Sequence, residues 1–218
     1  MLEAKKDGVL REVLEIIAFS NVDWNLLDGS TILVTGATGL IGSQIIKALA
    51  CRNRICNASI KILACVRNME KAKVVFADIL DRAEFKIIEG DVTKIFDIKE
   101  NVDYLIHTAS ATASKEFVTK PVEVIQTAIN GTQNFLELAK NKNAKGAVYL
   151  SSMEAFGVVQ ASDKKAEEKD LGFIDLENVR SCYPESKRLS ECLCTAYASE
   201  YNVPIKVARL SQTFGAGI

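Results

Sequence analysis

The feature that most constrains the fold of this chain is a glycine-rich turn between an apolar run and a helical pattern. The run Thr31–Thr35 reads TILVT, and Gly36, Gly39 and Gly42 follow it in the spacing G-x-x-G-x-x-G. The first glycine permits a tight exit from a strand, the second lets the backbone approach a pyrophosphate, and the third lets the helix pack close to the sheet. Three glycines near a turn can also be purely structural, but the strand–turn–helix setting predicts a dinucleotide site. The residues of this segment expected to bind the cofactor are Gly36, Thr38, Gly39, Leu40, Ile41 and Gly42.

The remainder of the chain alternates short apolar runs with amphipathic ones. We expect further strands at residues 60–66, 85–88, 104–107, 147–151 and 205–210, and helices at 43–52, 70–77, 122–140 and 185–200. Short apolar strands separated by helices imply a parallel sheet with helices on both faces. The predicted fold class is therefore α/β, a Rossmann-type doubly wound parallel sheet over residues 29–218. An appendage at residues 1–28 precedes it, and its segment 9–19 has the spacing of an amphipathic helix.

Composition argues against several functions. Lys and Arg total 27 against 28 Asp and Glu, so no basic excess indicates nucleic acid or an anionic membrane as a partner. The sequence has no run of about 18 apolar residues and opens with no signal-peptide pattern, so we expect a cytoplasmic location. The single histidine and the six cysteines, which lack C-x-x-C spacing, leave no ligand set for a metal ion.

The ends of the second and third strands bear on the choice of cofactor. An acidic residue at the end of the second strand commonly accepts from the ribose 2′-hydroxyl of NAD, but this strand ends in Arg67. A guanidinium favours a 2′-phosphate, so the sequence favours NADP over NAD, unless Arg67 stacks on the adenine or faces water. After the third strand, Asp91 would lie near the adenine amino group or would cap a helix, and Val92 is expected beside it in the cofactor site.

A tyrosine and a lysine four residues apart form the second strong signal. Tyr183 and Lys187, in the segment YPESK, would lie on one face of a helix. A nearby ammonium favours the phenolate, so we expect Lys187 to lower the pKa of Tyr183 and make it a general base near neutral pH. Alone, the pair could be an ordinary surface feature of a helix.

Two other strands end in hydroxyl-bearing segments at the same predicted edge of the sheet. The fifth strand ends in Ser151 and Ser152, and a hydroxyl at that sheet end is expected to position a substrate oxygen for Tyr183. The fourth strand ends at His107, which is expected to be structural rather than catalytic. The residues after it that are expected to line the cofactor site are Thr108, Ala109 and Ser110.

Taken in order, six motifs resemble the extended short-chain dehydrogenase/reductase family across about residues 30–218. They are TGATGLIG, HTAS, NGTQNFLELA, LSSMEAFG, YPESK and RLSQTFG. The resemblance implies Ser152, Tyr183 and Lys187 as the catalytic triad and Asn130 as a candidate supporting asparagine. Members of the family are nucleotide-sugar epimerases, 4,6-dehydratases and decarboxylases.

Within the family, residues 153 and 154 separate subgroups. Dehydratases carry an Asp-Glu pair after the catalytic Ser or Thr, whereas this chain has Met153 and Glu154. The resemblance therefore disfavours 4,6-dehydration and implies that Glu154 is catalytic, as in UDP-glucuronate decarboxylases. The R-x-C-Y pattern at residues 180–183 is similar to that subgroup. Gln212, where the subgroup usually has Asn, and Arg67, where its NAD-dependent members usually have an acid, are departures.

The resemblance implies an enzyme that oxidises the C4 hydroxyl of a nucleotide sugar transiently, then epimerises or decarboxylates it. Two alternatives remain open: an NADPH-dependent carbonyl reductase, which Arg67 favours, and a non-catalytic dinucleotide-binding protein. By analogy with the family, we expect a homodimer through helices 122–140 and 185–200. Family members continue into a C-terminal substrate domain, which this chain would largely lack, so we expect it to bind dinucleotide but to catalyse poorly.

Overall fold

Six parallel strands form one sheet at the centre of the molecule. The computed structural model describes residues 2–95, 98–159 and 165–215, so the last three residues of the predicted 29–218 domain lie outside it. The strands are β1 (Thr31–Thr35), β2 (Lys61–Val66), β3 (Phe85–Glu89), β4 (Tyr104–His107), β5 (Gly146–Ser152) and β6 (Ile205–Leu210). Their order is β3-β2-β1-β4-β5-β6, and every pairing is parallel. The order reverses between β1 and β4, which is the switch point of a doubly wound sheet.

Helices cover both faces of the sheet. They are α1 (Gly8–Ala18), α2 (Leu40–Cys56), α3 (Met69–Val75), the short α4 (Glu116–Thr119), α5 (Pro121–Asn141) and α6 (Cys182–Tyr201). The four sheet-covering helices expected from the sequence are present, and α4 is an addition. In the part of the chain that the structure describes, no helix is both long enough and apolar enough to cross a bilayer.

Successive side chains of β1 point to opposite faces of the sheet, so this strand contributes to the hydrophobic core on each face. Ile32 and Val34 pack with Ile46 of α2 and Phe76, which follows α3, on one face. Leu33 packs on the other face in the cluster that includes residues of α5 and α6. All five residues of β1 are buried, as a strand covered on both sides requires. The predicted α/β Rossmann-type class is confirmed.

The N-terminal segment packs on α2. Leu10, Leu14 and Ala18 of α1 are buried there, at the i, i+4, i+8 spacing of one helix face. Glu3, only 1% exposed, accepts hydrogen bonds from Arg54 at 3.0 Å and from Arg82 at 2.6 Å. Although burial raises its pKa, these hydrogen bonds bring it below the usual value, so the carboxylate is charged and paired. The division into appendage and main domain stays a prediction.

Candidate functional site

A cavity of about 750 Å³ opens at the carboxyl edge of the sheet, across the switch point. Residues that follow each of the six strands contribute to its wall, as expected for a ligand site in an open α/β sheet. Of the residues predicted from the sequence, those in the lining are Gly36, Thr38, Gly39, Leu40, Ile41, Gly42, Arg67, Val92, Thr108, Ala109, Ser110, Ser152, Glu154, Tyr183 and Lys187. Asp91 is outside it. The functional roles of all these residues stay predictions.

Two glycines of the loop after β1 have no room for a side chain. Gly36 has φ +66°, and a Cβ on it would lie 2.6 Å from the backbone nitrogen of Ala109. A Cβ on Gly42 would lie 2.6 Å from the Gly36 carbonyl oxygen and 2.8 Å from the Thr108 hydroxyl oxygen. Thr108 stabilises the contact between the two segments, since its hydroxyl donates to the Thr35 carbonyl at 2.7 Å. The loop after β1 is thus pressed against the segment after β4, and the cavity opens beside them.

The start of α2 is suited to a pyrophosphate. Gly39 caps the helix without a side-chain hydrogen bond, and the first turn carries no acidic residue. The first N–H groups of the helix and the positive end of its dipole therefore face the cavity, where Leu40, Ile41 and Gly42 form part of the wall. This glycine cradle fits a dinucleotide: the residues at positions 36–42 would hold its phosphates, and its nicotinamide would supply a hydride acceptor or donor when bound.

The end of β2 places positive charge at the edge of the cavity. Arg67 is exposed and lines the wall together with Lys71 of α3. Asp91 is turned away from that wall, because its carboxylate accepts from the Thr93 backbone N–H and hydroxyl, both at 2.9 Å. Asp91 therefore caps a turn; in the described residues it does not cap a helix, and it does not line the cavity.

His107 is built into the core. It is 1% exposed, its Nδ1 lies 2.8 Å from the Thr35 hydroxyl, and its ring packs beside Phe135 and Tyr149. Burial, and next the charge of Lys187, lower its pKa to about 3. His107 therefore stays neutral near neutral pH and does not line the cavity. Its position is structural, as expected from the sequence.

Ser152, Tyr183 and Lys187 converge at the end of the cavity that lies beyond the glycine loop. Tyr183 is in the first turn of α6, where Pro184 is tolerated because its missing N–H has no helical partner to lose. Ser152 ends β5, and its hydroxyl oxygen accepts from the Glu154 backbone N–H at 3.2 Å. Its own proton is therefore directed elsewhere, and hydrogen bonding with Ser152 and Ser110 favours the Tyr183 phenolate.

The pKa of Tyr183 departs from the expectation. Burial raises it, and the nearby carboxylate of Glu154 adds to the rise, so the hydrogen bonds from the serines do not bring it below the usual value. The expectation that the pKa of Tyr183 lies below its ordinary value beside Lys187 is wrong, because burial outweighs the lowering contributions. The Lys187 ammonium donates to the Leu150 carbonyl at 2.8 Å. That ammonium lies 5.8 Å from the centre of the Tyr183 ring.

Lys187 is itself strongly perturbed. It is 3% exposed, and burial lowers its pKa to about 8, against the opposing effect of Glu191. Glu191 in turn is held by Arg209, with contacts of 2.6–3.1 Å, and accepts from the Ser151 hydroxyl at 2.5 Å. The two neighbouring serines thus serve different partners: Ser151 bonds to α6, and Ser152 faces Tyr183.

Two residues beside Tyr183 were not predicted as site residues. Arg180 forms a two-bond fork with the Glu154 carboxylate, at 2.7 and 3.0 Å, so the predicted catalytic acid is ion-paired. Phe117 of α4 is buried and stacks on the Tyr183 ring with centroids 4.3 Å apart and planes 12° apart. Arg180 was visible in the R-x-C-Y pattern, but nothing in the sequence marks Phe117, because α4 has only four residues.

Asn130 does not reach the site. It is exposed on α5 and is absent from the cavity wall, whereas its neighbours Ala128, Gly131 and Thr132 are buried. The helix phase that buries those three residues turns position 130 outward. The expectation that Asn130 supports the catalytic residues is wrong for this geometry.

Comparison with known proteins places these features in a family. The UDP-glucuronic acid decarboxylase 1 of Xenopus tropicalis is 29% identical over 189 residues, covering 86% of this chain and 42% of that protein. UDP-glucuronic acid decarboxylase 6 of Arabidopsis thaliana is 30% identical over 186 residues, covering 84% and 51%. The chain thus spans about half the length of the curated relatives it matches.

Solved structures show the same fold. The UDP-glucuronic acid 4-epimerase of Bacillus cereus in complex with NAD superposes with a TM-score of 0.65 at 25% identity, covering 85% of this chain and 57% of that one. The dTDP-glucose 4,6-dehydratase of Bacillus anthracis in complex with NAD gives 0.67 at 22% identity, covering 87% and 57%. The model of the NAD dependent epimerase/dehydratase family matches residues 32–217. The resemblance seen in the sequence motifs is therefore confirmed, and this chain belongs to the NAD dependent epimerase/dehydratase family.

Proposed function

We propose that the whole protein is an NAD(P)-dependent enzyme that converts a nucleotide sugar through transient oxidation of its C4 hydroxyl. The observation that carries the proposal is the meeting of Ser152, Tyr183 and Lys187 in the same cavity as the glycine cradle. A dinucleotide lying along that cradle would end beside these three side chains. The curated relatives support the sugar-nucleotide class over the carbonyl reductase and the non-catalytic alternatives.

The side chains would divide the proton chemistry between them. Ser152 donates to the sugar oxygen and orients it, and the Tyr183 phenolate accepts the hydroxyl proton and returns it in the reverse step. Lys187 has a pKa of about 8, so it can exchange a proton close to neutral pH. A bound oxidised nicotinamide would lower the pKa of Tyr183 by its positive charge, which offsets the burial that raises it here.

Among the family's reactions, we propose decarboxylation or epimerisation rather than 4,6-dehydration. Met153 stands where an elimination would need an acid, and Glu154 follows it on the cavity wall. A C4 ketone labilises the neighbouring carbon, so either outcome follows from the same first step. The decarboxylase relatives, at 29% and 30% identity, support decarboxylation.

The test is Tyr183→Phe in the whole protein. We expect binding of NAD and NADP, measured by calorimetry, to change less than about twofold, and turnover of UDP-sugars to fall at least about 10²-fold, because the phenyl ring stacks as before but moves no proton. Tyr104→Phe, which removes a hydroxyl at the start of β4 and outside the cavity wall, is the matched control. Turnover retained by the Phe variant would refute the assignment.

For the cofactor, the positive charge at the end of β2 supports NADP, whereas two similar structures were solved with NAD. We propose that Arg67, with Lys71 beside it, binds a 2′-phosphate. Arg67→Gln should then weaken NADP binding about tenfold and leave NAD within about twofold, since a charged hydrogen bond contributes about 1.5 kcal/mol or more. Lys61→Gln, at the other end of β2, is the control. Equal loss for both dinucleotides would contradict the proposal.

We also propose a homodimer through the outer faces of α5 and α6. Val122, Ile125 and Leu189 are 63%, 42% and 50% exposed there. Leu189→Glu should shift the mass measured by light scattering from dimer to monomer, and Ile16→Glu on α1 should not. A dimer that survives the first change would refute this surface. The cytoplasmic location stays a prediction, to be checked by cell fractionation.

A further inference from the structure

Arg180 lies behind the proposed general base, outside the cavity wall. It belongs to the one-turn helix Val179–Ser181 that leads directly into α6, three residues before Tyr183. Its guanidinium makes the two-bond fork to Glu154 and lies 5.5 Å from the centre of the Phe117 ring. Phe117 in turn stacks on Tyr183. The Phe117 ring thus has the Arg180 guanidinium and the Tyr183 phenol as neighbours.

We propose that Arg180 is a positioning residue for Tyr183, acting through its cation–π contact with Phe117 and through its neutralisation of Glu154. The proposal rests on the proposed function only for the catalytic role of Tyr183. Arg180 is not itself among the residues that line the cavity, and it meets the wall only through the Glu154 carboxylate. Its contribution is to fix the ring and balance the charge behind it.

Phe117 of α4 restrains the Tyr183 ring. Phe117 is 3% exposed, and its carbonyl accepts from the Cys182 thiol at 3.3 Å, which ties α4 to the start of α6. Because the two rings lie within 12° of parallel, a rotation of the phenol would break the contact. A guanidinium over Phe117 adds a cation–π attraction that keeps this ring in place.

The charges around Tyr183 explain why the ion pair between Arg180 and Glu154 affects the ionisation of this tyrosine. The Glu154 carboxylate raises the pKa of Tyr183, and the Arg180 guanidinium lowers it. Lys187, whose pKa is about 8, is mostly neutral by the pH at which Tyr183 ionises, whereas a guanidinium stays charged. The other charged groups on the cavity wall near α4 and α5 are Glu116, Lys120 and Glu123, and Lys120 pairs with Glu123 at 3.2 Å. Arg180 is therefore the cation that keeps Glu154 from opposing ionisation of the base.

The test follows the ionisation of Tyr183 directly and needs no substrate. The protein is labelled with [13Cζ]tyrosine, and the resonance of Tyr183 among the five tyrosines is assigned by its loss in Tyr183→Phe. Titrations are run on the parent, Glu154→Gln, Arg180→Gln and the double variant. Phe117→Leu removes the stack and leaves every charge in place. Both charged side chains are partly exposed, at 28% and 45%, so the neutral amides can be accommodated.

We expect Arg180→Gln to raise the pKa of Tyr183 by about one pH unit and Glu154→Gln to lower it by a similar amount. The double variant should return to within a few tenths of the parent, because the charges are removed together. Phe117→Leu should broaden or split the Tyr183 resonance. Single variants that leave the pKa unchanged, or a double variant that matches Arg180→Gln, would overturn the proposal. If Arg180→Gln does not fold, Glu154→Gln is the test, and a pKa of Tyr183 that is not lowered in that variant would overturn the proposal. Failure of Tyr183→Phe to lose turnover would refute the proposed function without altering this titration.

Discussion

Replacing Lys187 with methionine should stabilise the fold at neutral pH. The ammonium is 3% exposed, and its burial lowers the pKa from 10.5 to about 8. That difference means that keeping the charge inside the folded chain costs about 3 kcal/mol at pH 7. Methionine has a similar length and no charge, but it leaves the Leu150 carbonyl without the donor it has at 2.8 Å, which costs about 1–2 kcal/mol. The net gain for Lys187→Met at pH 7 is therefore about 1–2 kcal/mol.

The sign of this effect should change with pH. Between pH 8 and 10.5 the unfolded chain holds a proton on Lys187 that the folded chain has released, so the stability of the parent rises with pH relative to the variant. Above pH 10.5 the amine is neutral in both states, and only the lost hydrogen bond remains. There the variant should be less stable than the parent by about 1–2 kcal/mol.

Urea unfolding at pH 7, 9 and 11 measures both effects. Lys142→Met is the matched control, because Lys142 also donates to a backbone carbonyl, that of Ile98, but is only partly buried. We expect the difference between this control and the parent to be the same at all three pH values. A Lys187→Met variant whose stability relative to the parent does not change with pH would refute the reasoning from burial.

Three further substitutions test the glycine cradle and the pairing of Glu3 with Arg54 and Arg82. Gly36→Ala should lower the free energy of unfolding by about 2–4 kcal/mol, from its positive φ and its contact with backbone atoms, and should abolish dinucleotide binding. Gly39→Ala, which meets only one carbonyl oxygen at 3.2 Å, should keep the stability and weaken binding; equal losses of stability would contradict this. Glu3→Gln should cost about 2–4 kcal/mol at pH 7, because it removes the buried carboxylate charge to which both Arg54 and Arg82 donate. Because the folded pKa of Glu3 is lowered, its stabilisation is complete above the unfolded pKa near 4.5 and decreases as the pH falls below that value towards the folded pKa. A parent–variant difference that does not decrease below pH 4.5 would refute this reasoning.

The sequence predicted every strand end and both ends of α5 to within one residue, but it placed the starts of α2 and α6 three residues too late. Strands of a doubly wound sheet are buried on both faces, so their apolar runs stop where the chain leaves the core. Helix α2 begins at Leu40, three residues before the predicted start, because its first turn faces the cavity and needs no apolar periodicity. Helix α6 begins at Cys182, since the first turn of a helix tolerates the proline at 184.

The candidate site was likewise predictable only in part. Tyr183 and Lys187 fall on one helix because a spacing of four is a property of the local chain. The sign of the Tyr183 pKa could not be read from that spacing, because it depends on burial and on Glu154, which comes from another element. Asn130 was misplaced for a related reason: its motif lies on the right helix, and only the packing of that helix decides which face turns inward.

Local sequence was enough to predict the succession of strands and helices along the chain, the glycine cradle and the family. These depend on local geometry: the space a glycine leaves, the period of a strand or helix, and the free N–H groups at a helix start. Only the tertiary structure decided which groups meet. It joined Arg180 to Glu154, placed Phe117 against Tyr183, and turned the Lys187 ammonium to the Leu150 carbonyl. Those contacts join segments up to 66 residues apart, and the pKa of a buried group follows from such neighbours, which no local pattern contains.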